Sequence, residues 1–221
     1  FLVANDQSAA VVHNGGVAPE KIKTFGFPVS PRFADFAQAT QRSLTSLSGQ
    51  SSNQRSLPKP RVLYVINAGT SRAAGLVRKL LELDIQLTVT VGRNESLHRA
   101  IERAAGGRKI DIYGWTEEMP RLLCESHVLI GKAGGATVQE TIAASCPMII
   151  NHVVSGQEEG NARLIVETNS GAIAPSNDAV VAEVQGTFAN GAKQWREWSA
   201  NISGLSRPRA SLDIAEFLLS I

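Results

Sequence analysis

One unit recurs along this chain and restricts its fold more than any other feature. A short β-branched or apolar run leads into a turn of small polar residues, and a longer stretch with helical spacing follows. Val62–Ile66 leads to the turn 67–71 and a helix through Leu83. Leu87–Val91 leads to Gly92-Arg93-Asn94 and a helix through about Ala105. Ile110–Tyr113 leads to Gly114-Trp115-Thr116 and a short helix holding Met119 and Leu122. His127–Ile130 leads to GKAGGATVQE (131–140) and a helix through Ser145. Pro147–Ile150 leads to a loop and a helix from near Gln157. Strands separated by helices of this length cannot pair as hairpins, so they must cross over into a parallel sheet. The predicted fold class is α/β: a Rossmann-like, doubly wound parallel sheet, with a helical C-terminus after Ile173 and no further strand.

Two segments interrupt this rhythm. Residues 1–33 read as the tail of a preceding α/β unit: a strand, a helix from Asp6, then Phe25-Gly26-Phe27-Pro28-Val29. Residues 34–60, rich in Ser, Gln and Asn and ending Leu57-Pro58-Lys59-Pro60, read as a linker or insertion. Residues 61–221 form the main domain. The opening Phe-Leu-Val-Ala-Asn, at the start of a strand, reads as the beginning of a fragment.

Composition sets outer bounds. A formal charge of +2 is too small to suggest a nucleic-acid partner, and Arg72, Arg78 and Lys79 read as solvated helix faces. Cys124 and Cys146 sit among apolar neighbours and read as small buried hydrophobes, which suits a reducing, cytoplasmic setting. No apolar run reaches the ~18 residues of a membrane-spanning helix.

In an open α/β sheet, ligands bind beyond the carboxyl ends of the strands, so the chemistry belongs to the turns. Gly69-Thr70-Ser71 presents backbone N–H groups at a helix start, with Thr70 or Ser71 as N-cap. Gly134-Gly135-Ala136-Thr137 does the same, and its glycines let an anion approach the backbone. A helix N-terminus carries about half a positive charge, which suits a phosphate or diphosphate. The same residues serve equally well as ordinary caps. The loop 155–161, SGQEEGN, groups the donors and acceptors that hydroxyl recognition needs, or caps the next helix. Lys132 leans on an anion or points to solvent, and His152 reads as a plain loop histidine. There is no P-loop, no G-x-G-x-x-G after Ile66, no metal-ligand pattern and no Asp-x-Asp to carry a divalent cation.

Together, 131–140, the proline before Met148 and Gly156-Gln157-Glu158-Glu159-Gly160-Asn161 resemble the donor-binding half of GT-B glycosyltransferases. The branch they resemble is that of the monogalactosyldiacylglycerol synthases and processive diacylglycerol glucosyltransferases, relatives of the lipid II-forming N-acetylglucosaminyltransferase. Gly92-Arg93-Asn94, Gly114-Trp115-Thr116 and Phe25–Val29 fit the same pattern. The resemblance implies an inverting, metal-independent UDP-sugar transferase with no cofactor, its substrate UDP-galactose or UDP-glucose. Thr116 and its neighbour Trp115 would lie at the uracil, through backbone groups, and Glu140 at the ribose, with Arg93 also in the nucleotide-sugar site. Gly69, Thr70, Ser71, Gly134, Gly135, Ala136 and Thr137 would face the diphosphate, with Gln157 and Glu158 at the sugar. The acceptor would be a lipid such as diacylglycerol, met on the cytoplasmic membrane face. The acceptor site and catalytic base are expected in an N-terminal domain outside these residues. A UDP-sugar epimerase, or a nucleotide-binding module without transferase activity, are the alternatives.

Overall fold

The computed structural model describes residues 1–36 and 59–220. Most of the expected linker at 34–60 therefore lies outside the described residues. Six strands form one parallel sheet: β3 (Arg61–Val65), β4 (Gln86–Thr90), β5 (Asp111–Tyr113), β6 (Val128–Lys132), β7 (Met148–His152) and β8 (Gly171–Ile173), in the order β5-β4-β3-β6-β7-β8. The intervening helices are α2 (Thr70–Leu80), α3 (Glu95–Ala105), α4 (Met119–Glu125), α5 (Gly135–Ala143) and α6 (Glu159–Glu167). Ahead of them, β1 (Leu2–Val3) and β2 (Lys23–Thr24) pair in parallel around α1 (Asp6–Asn14).

The alternation of side chains along each strand divides the core in two. Val62, Tyr64, Val89, Val128 and Ile130 pack with Ala73, Leu76 and Leu80 of α2 and Ile101 of α3. Leu63, Leu129, Met148 and Ile150 face the other way, onto Leu123, Val138, Ile142 and Ile165 of α4, α5 and α6. The central strands are buried on both faces, which is why they read as continuous apolar runs. Cys124 and Cys146 are buried thiols within the second cluster, as expected.

Three features depart from the sequence reading. The strand β8 extends the sheet at Gly171-Ala172-Ile173, where no β-branched run marks it. Its start is set by backbone proximity: a Cβ at Gly171 would stand 1.9 Å from the Met148 carbonyl oxygen. The strand β2 is only two residues long and likewise carries no pattern. The C-terminus is helical as expected, but its helix α7 (Asn177–Leu205) is broken at Ala189–Ala192, where Asn190, Gly191 and Ala192 all take positive φ. The last helix, α8 (Ala210–Leu219), returns to the N-terminal segment, with Phe217 against Phe25 at 5.3 Å.

Gly171→Ala should cost about 3 kcal/mol or more, because no rotamer relieves a Cβ against a main-chain oxygen. Chemical denaturation of the two proteins measures it. A loss below about 1 kcal/mol would mean that β8 is free to shift away from β7.

Candidate functional site

Strand order places the site. β3 and β6 are neighbours, yet β3 leads outward to β4 on one side while β6 leads to β7 on the other. Their following helices pack on opposite faces, α2 with the first cluster and α5 with the second. A crevice opens between the two departing chains, at the point where such sheets bind ligands.

Both helix starts at this crevice lack a side-chain cap. Gly69 is the N-cap of α2, in the left-handed region at φ 64°, and Gly134 is the N-cap of α5. The expectation that Thr70 or Ser71 caps α2 is thus corrected, since both lie inside its first turn. A left-handed backbone suits glycine and excludes most side chains from the cap position. With no cap oxygen present, the first-turn N–H groups of Thr70, Ser71, Gly135, Ala136 and Thr137 have no partner within their helices. Thr70, Ser71, Gly135 and Ala136 are exposed.

Arg72 is no solvated surface cation. Its guanidinium donates to the carbonyls of Asn151 and Pro175, and the Arg72 carbonyl accepts from Asn177 Nδ2 at 3.0 Å. A Cβ at Gly69 would stand 3.3 Å from Arg72 Nε, so a permanent positive charge lies against the α2 turn. Nothing in local sequence marks this role, because the two acceptors follow 79 and 103 residues later. Lys79 lies on a solvated helix face, as expected, and pairs there with the exposed Asp178.

Glu140 lies five residues beyond Gly135, about 7.5 Å along the axis of α5. It shares a face with Ala136 and Thr137 by the i, i+4 and i, i+3 rule. Its carboxylate is half-buried, and among the described residues no hydrogen bond or ion pair reaches it. Burial therefore raises its pKa from the ordinary 4.5. An unpaired acceptor in a desolvated place is stabilised by any hydrogen-bond donor that reaches it.

The loop after β7 contributes differently. Gln157 is exposed, whereas Glu158 is only 6% exposed. Glu158 Oε1 pairs with Lys132 Nζ at 2.5 Å, and Oε2 accepts the Val154 N–H at 3.0 Å. Burial opposes the charge on Glu158, but the Lys132 ammonium and the Val154 N–H outweigh it and hold the carboxyl below its usual range. Asn161 Nδ2 donates to the Ala133 carbonyl at 3.0 Å, tying the start of α6 to the turn after β6.

At the other end, the loops after β4 and β5 touch. A Cβ at Gly114 would lie 3.4 Å from the Gly92 carbonyl, and Arg93 Cζ stands 5.2 Å over the ring of Trp115, itself 61% exposed. They border a cavity of about 470 Å³ lined by Gly92, Arg93, Asn94, His98, Arg99 and Gly114. The Thr116 hydroxyl accepts the Glu118 N–H at 3.0 Å, ordering the start of α4. β5 and β7 are four strand spacings apart, about 19 Å, so only an elongated ligand reaches from Trp115 to Gln157.

The sequence profile of the glycosyltransferase family 28 C-terminal domain matches residues 67–202, more than half of the chain. The chain belongs to this family. The family 28 match begins at the turn after β3 and contains both uncapped helix starts, Glu140 and the loop at Gln157. Relatives include a monogalactosyldiacylglycerol synthase 2 of Arabidopsis thaliana, 29% identical over 131 residues, 59% of this chain and 28% of that protein. A processive diacylglycerol beta-glucosyltransferase of Bacillus cytotoxicus is 24% identical over 226 residues, 99% of this chain and 56% of that protein. The chain thus spans from about a quarter to just over half of such relatives. Among solved structures, Os79 from O. sativa in complex with UDP superposes with a TM-score of 0.68 at 12% identity, covering 99% of this chain and 55% of Os79. UDP-GlcNAc 2-epimerase from Neisseria meningitidis gives 0.67 at 13%, covering 98% and 59%. These likenesses establish the fold, the C-terminal Rossmann-like domain of the GT-B architecture, as expected from the sequence.

The Glu140 pKa is raised by folding, so its ionised form costs stability. That cost is fully present above the raised pKa and disappears as pH falls below 4.5. Glu140→Gln should therefore raise the melting temperature at pH 7.5, and raise it less at pH 4. Calorimetric melting at the two pH values checks this. A destabilised variant at pH 7.5 would show that the carboxylate is already satisfied.

Proposed function

We propose that this chain is the donor-binding part of an inverting glycosyltransferase that takes galactose or glucose from a UDP-sugar and places it on the hydroxyl of a diacylglycerol-type lipid. The observation that carries the donor reading is the pair of uncapped helix starts facing one crevice, with the unpaired Glu140 one and a half turns away. Two N-termini suit a diphosphate, and a carboxylate at that spacing suits the vicinal hydroxyls of a ribose. The stacked Arg93–Trp115 pair and its cavity suit the uracil, and the exposed Gln157 suits the sugar. The sugar identities and the lipid acceptor come from the names of the relatives. An acceptor of that kind puts the enzyme on a membrane surface, at the cytoplasmic face.

In the reaction, the acceptor oxygen attacks the anomeric carbon from the side opposite UDP. The bond from that carbon to the β-phosphate oxygen breaks, its electron pair stays on the diphosphate, and a base takes the hydroxyl proton. No residue of this chain is assigned as that base. The domain's part is to hold the donor in line and to stabilise the charge that grows on the leaving diphosphate, through amides aimed before the reaction begins. The resemblance to an epimerase is one of fold at 13% identity and carries no argument for epimerisation.

Titration calorimetry of the chain with UDP, UDP-galactose, UDP-glucose and UDP-N-acetylglucosamine tests the reading. UDP should bind, at least one UDP-hexose should bind more tightly than UDP, and Glu140→Ala should weaken both by about tenfold or more, the loss of a charge-assisted hydrogen-bond pair. No heat with any of the four would contradict it.

A further inference from the structure

The ion pair between Lys132 and Glu158 has a geometry that hydroxyl recognition does not explain. Lys132 ends β6, just beyond a register shift at Gly131/Lys132 in the pairing with β7, and it stands opposite His152. A bulge of this kind re-aims one side chain. The stem of Lys132 runs beneath the turn into α5: a Cβ at Gly134 would stand 3.4 Å from its Cε and 3.7 Å from Glu158 Oε1. Both carboxylate oxygens of Glu158 are engaged inside the protein, one by Lys132 and one by the Val154 N–H. Neighbouring groups are satisfied as well. Glu159 Oε1 accepts the Ser155 hydroxyl and the Gly156 N–H, both at 3.0 Å. The Gln157 and Glu158 N–H groups donate to the Val154 carbonyl at 3.3 and 3.0 Å. The loop is thus closed on itself and on β6; of its exposed side chains, Ser155 and Glu159 are bonded to each other, and Gln157 stands beside them with its amide bonded to no group within the loop.

We infer that Lys132 and Glu158 are positioning residues: their ion pair locks the loop 154–158 beneath the Gly134–Gly135 turn so that Gln157 meets the donor sugar, and Glu158 does not itself receive the sugar's hydroxyls. The inference rests on the donor-binding reading above and assigns the sugar subsite a division of labour. Rigid support from a second layer of groups is what holds a contacting side chain in productive geometry. Removing one partner leaves a buried charge uncompensated, so the loop opens to hydrate it. The pair also neutralises Lys132, which is therefore not the counter-charge of the diphosphate.

Two measurements separate this inference from its premise. In the unliganded chain, amide hydrogen exchange at Val154 and Gly156 should speed up in Lys132→Met by roughly tenfold or more, and Lys132→Arg should restore much of the protection. Unchanged exchange in Lys132→Met would overturn the lock without touching the donor reading. In calorimetry, Lys132→Met should lower the preference for UDP-galactose or UDP-glucose over UDP by roughly fivefold or more, while UDP itself changes less than about twofold. Glu158→Gln should do the same. If Lys132→Met kept the sugar preference while Glu158→Gln lost it, Glu158 would be reading the hydroxyls directly and the inference would fall. If the unmodified chain bound no UDP-sugar, the donor reading would fail instead, and the inferred sugar role with it.

Discussion

Everything at the candidate site follows from the side-by-side pairing of β3 with β6. Had the chain returned to pair β6 elsewhere, the starts of α2 and α5 would not face one opening. Because the helices after these two strands cover opposite faces, the turns that precede them splay apart and leave room between. The same pairing brings the β7 and β8 ends around Arg72, whose guanidinium spans Asn151 and Pro175. Sheet order therefore sets both the opening and the charge that lines it.

The charge balance of the crevice is unusual in which groups are committed. Lys132 is neutralised by Glu158, and Arg72 spends donors on main-chain carbonyls. Charge on a bound diphosphate then falls chiefly on backbone amides. Each uncapped N-terminus contributes about 0.3–1 kcal/mol at an exposed surface and up to ~2 in a partly buried one, so two together supply a few kcal/mol. For a leaving diphosphate the value of such donors lies in their fixed direction: they need no reorganisation as charge moves from the breaking bond onto oxygen. Glu140 stands apart as a cost to the empty fold, which under the proposed function is offset when hydroxyls reach it, the usual trade between stability and function at a binding site.

How much of this could be read from sequence differs by element, for physical reasons. The strands β3, β4, β6 and β7 are buried on both faces, so their composition declares them. β8 consists of Gly171-Ala172-Ile173, and what places it is a backbone approach that allows no side chain, which leaves no periodic trace. The break in α7 falls at Asn190-Gly191, a dipeptide of the turn-forming kind, inside a stretch read only as helical. Around the candidate site, the glycines at the two helix starts were legible because local backbone chemistry marks them, whereas the role proposed for Glu140 came from the family resemblance. The inward turn of Glu158 and the role of Arg72 were not, because each depends on partners that only the sheet pairing brings together.

The proposed function requires one nucleotide to lie across both helix starts at once. Backbone amide chemical shifts of the isotope-labelled chain, followed during addition of UDP, measure it directly. Concerted shifts with one affinity are expected at Gly69–Ser71 and at Gly135–Thr137. Shifts confined to one turn, or appearing only at the opposite ends of the strands near Ser126–Val128, would contradict it.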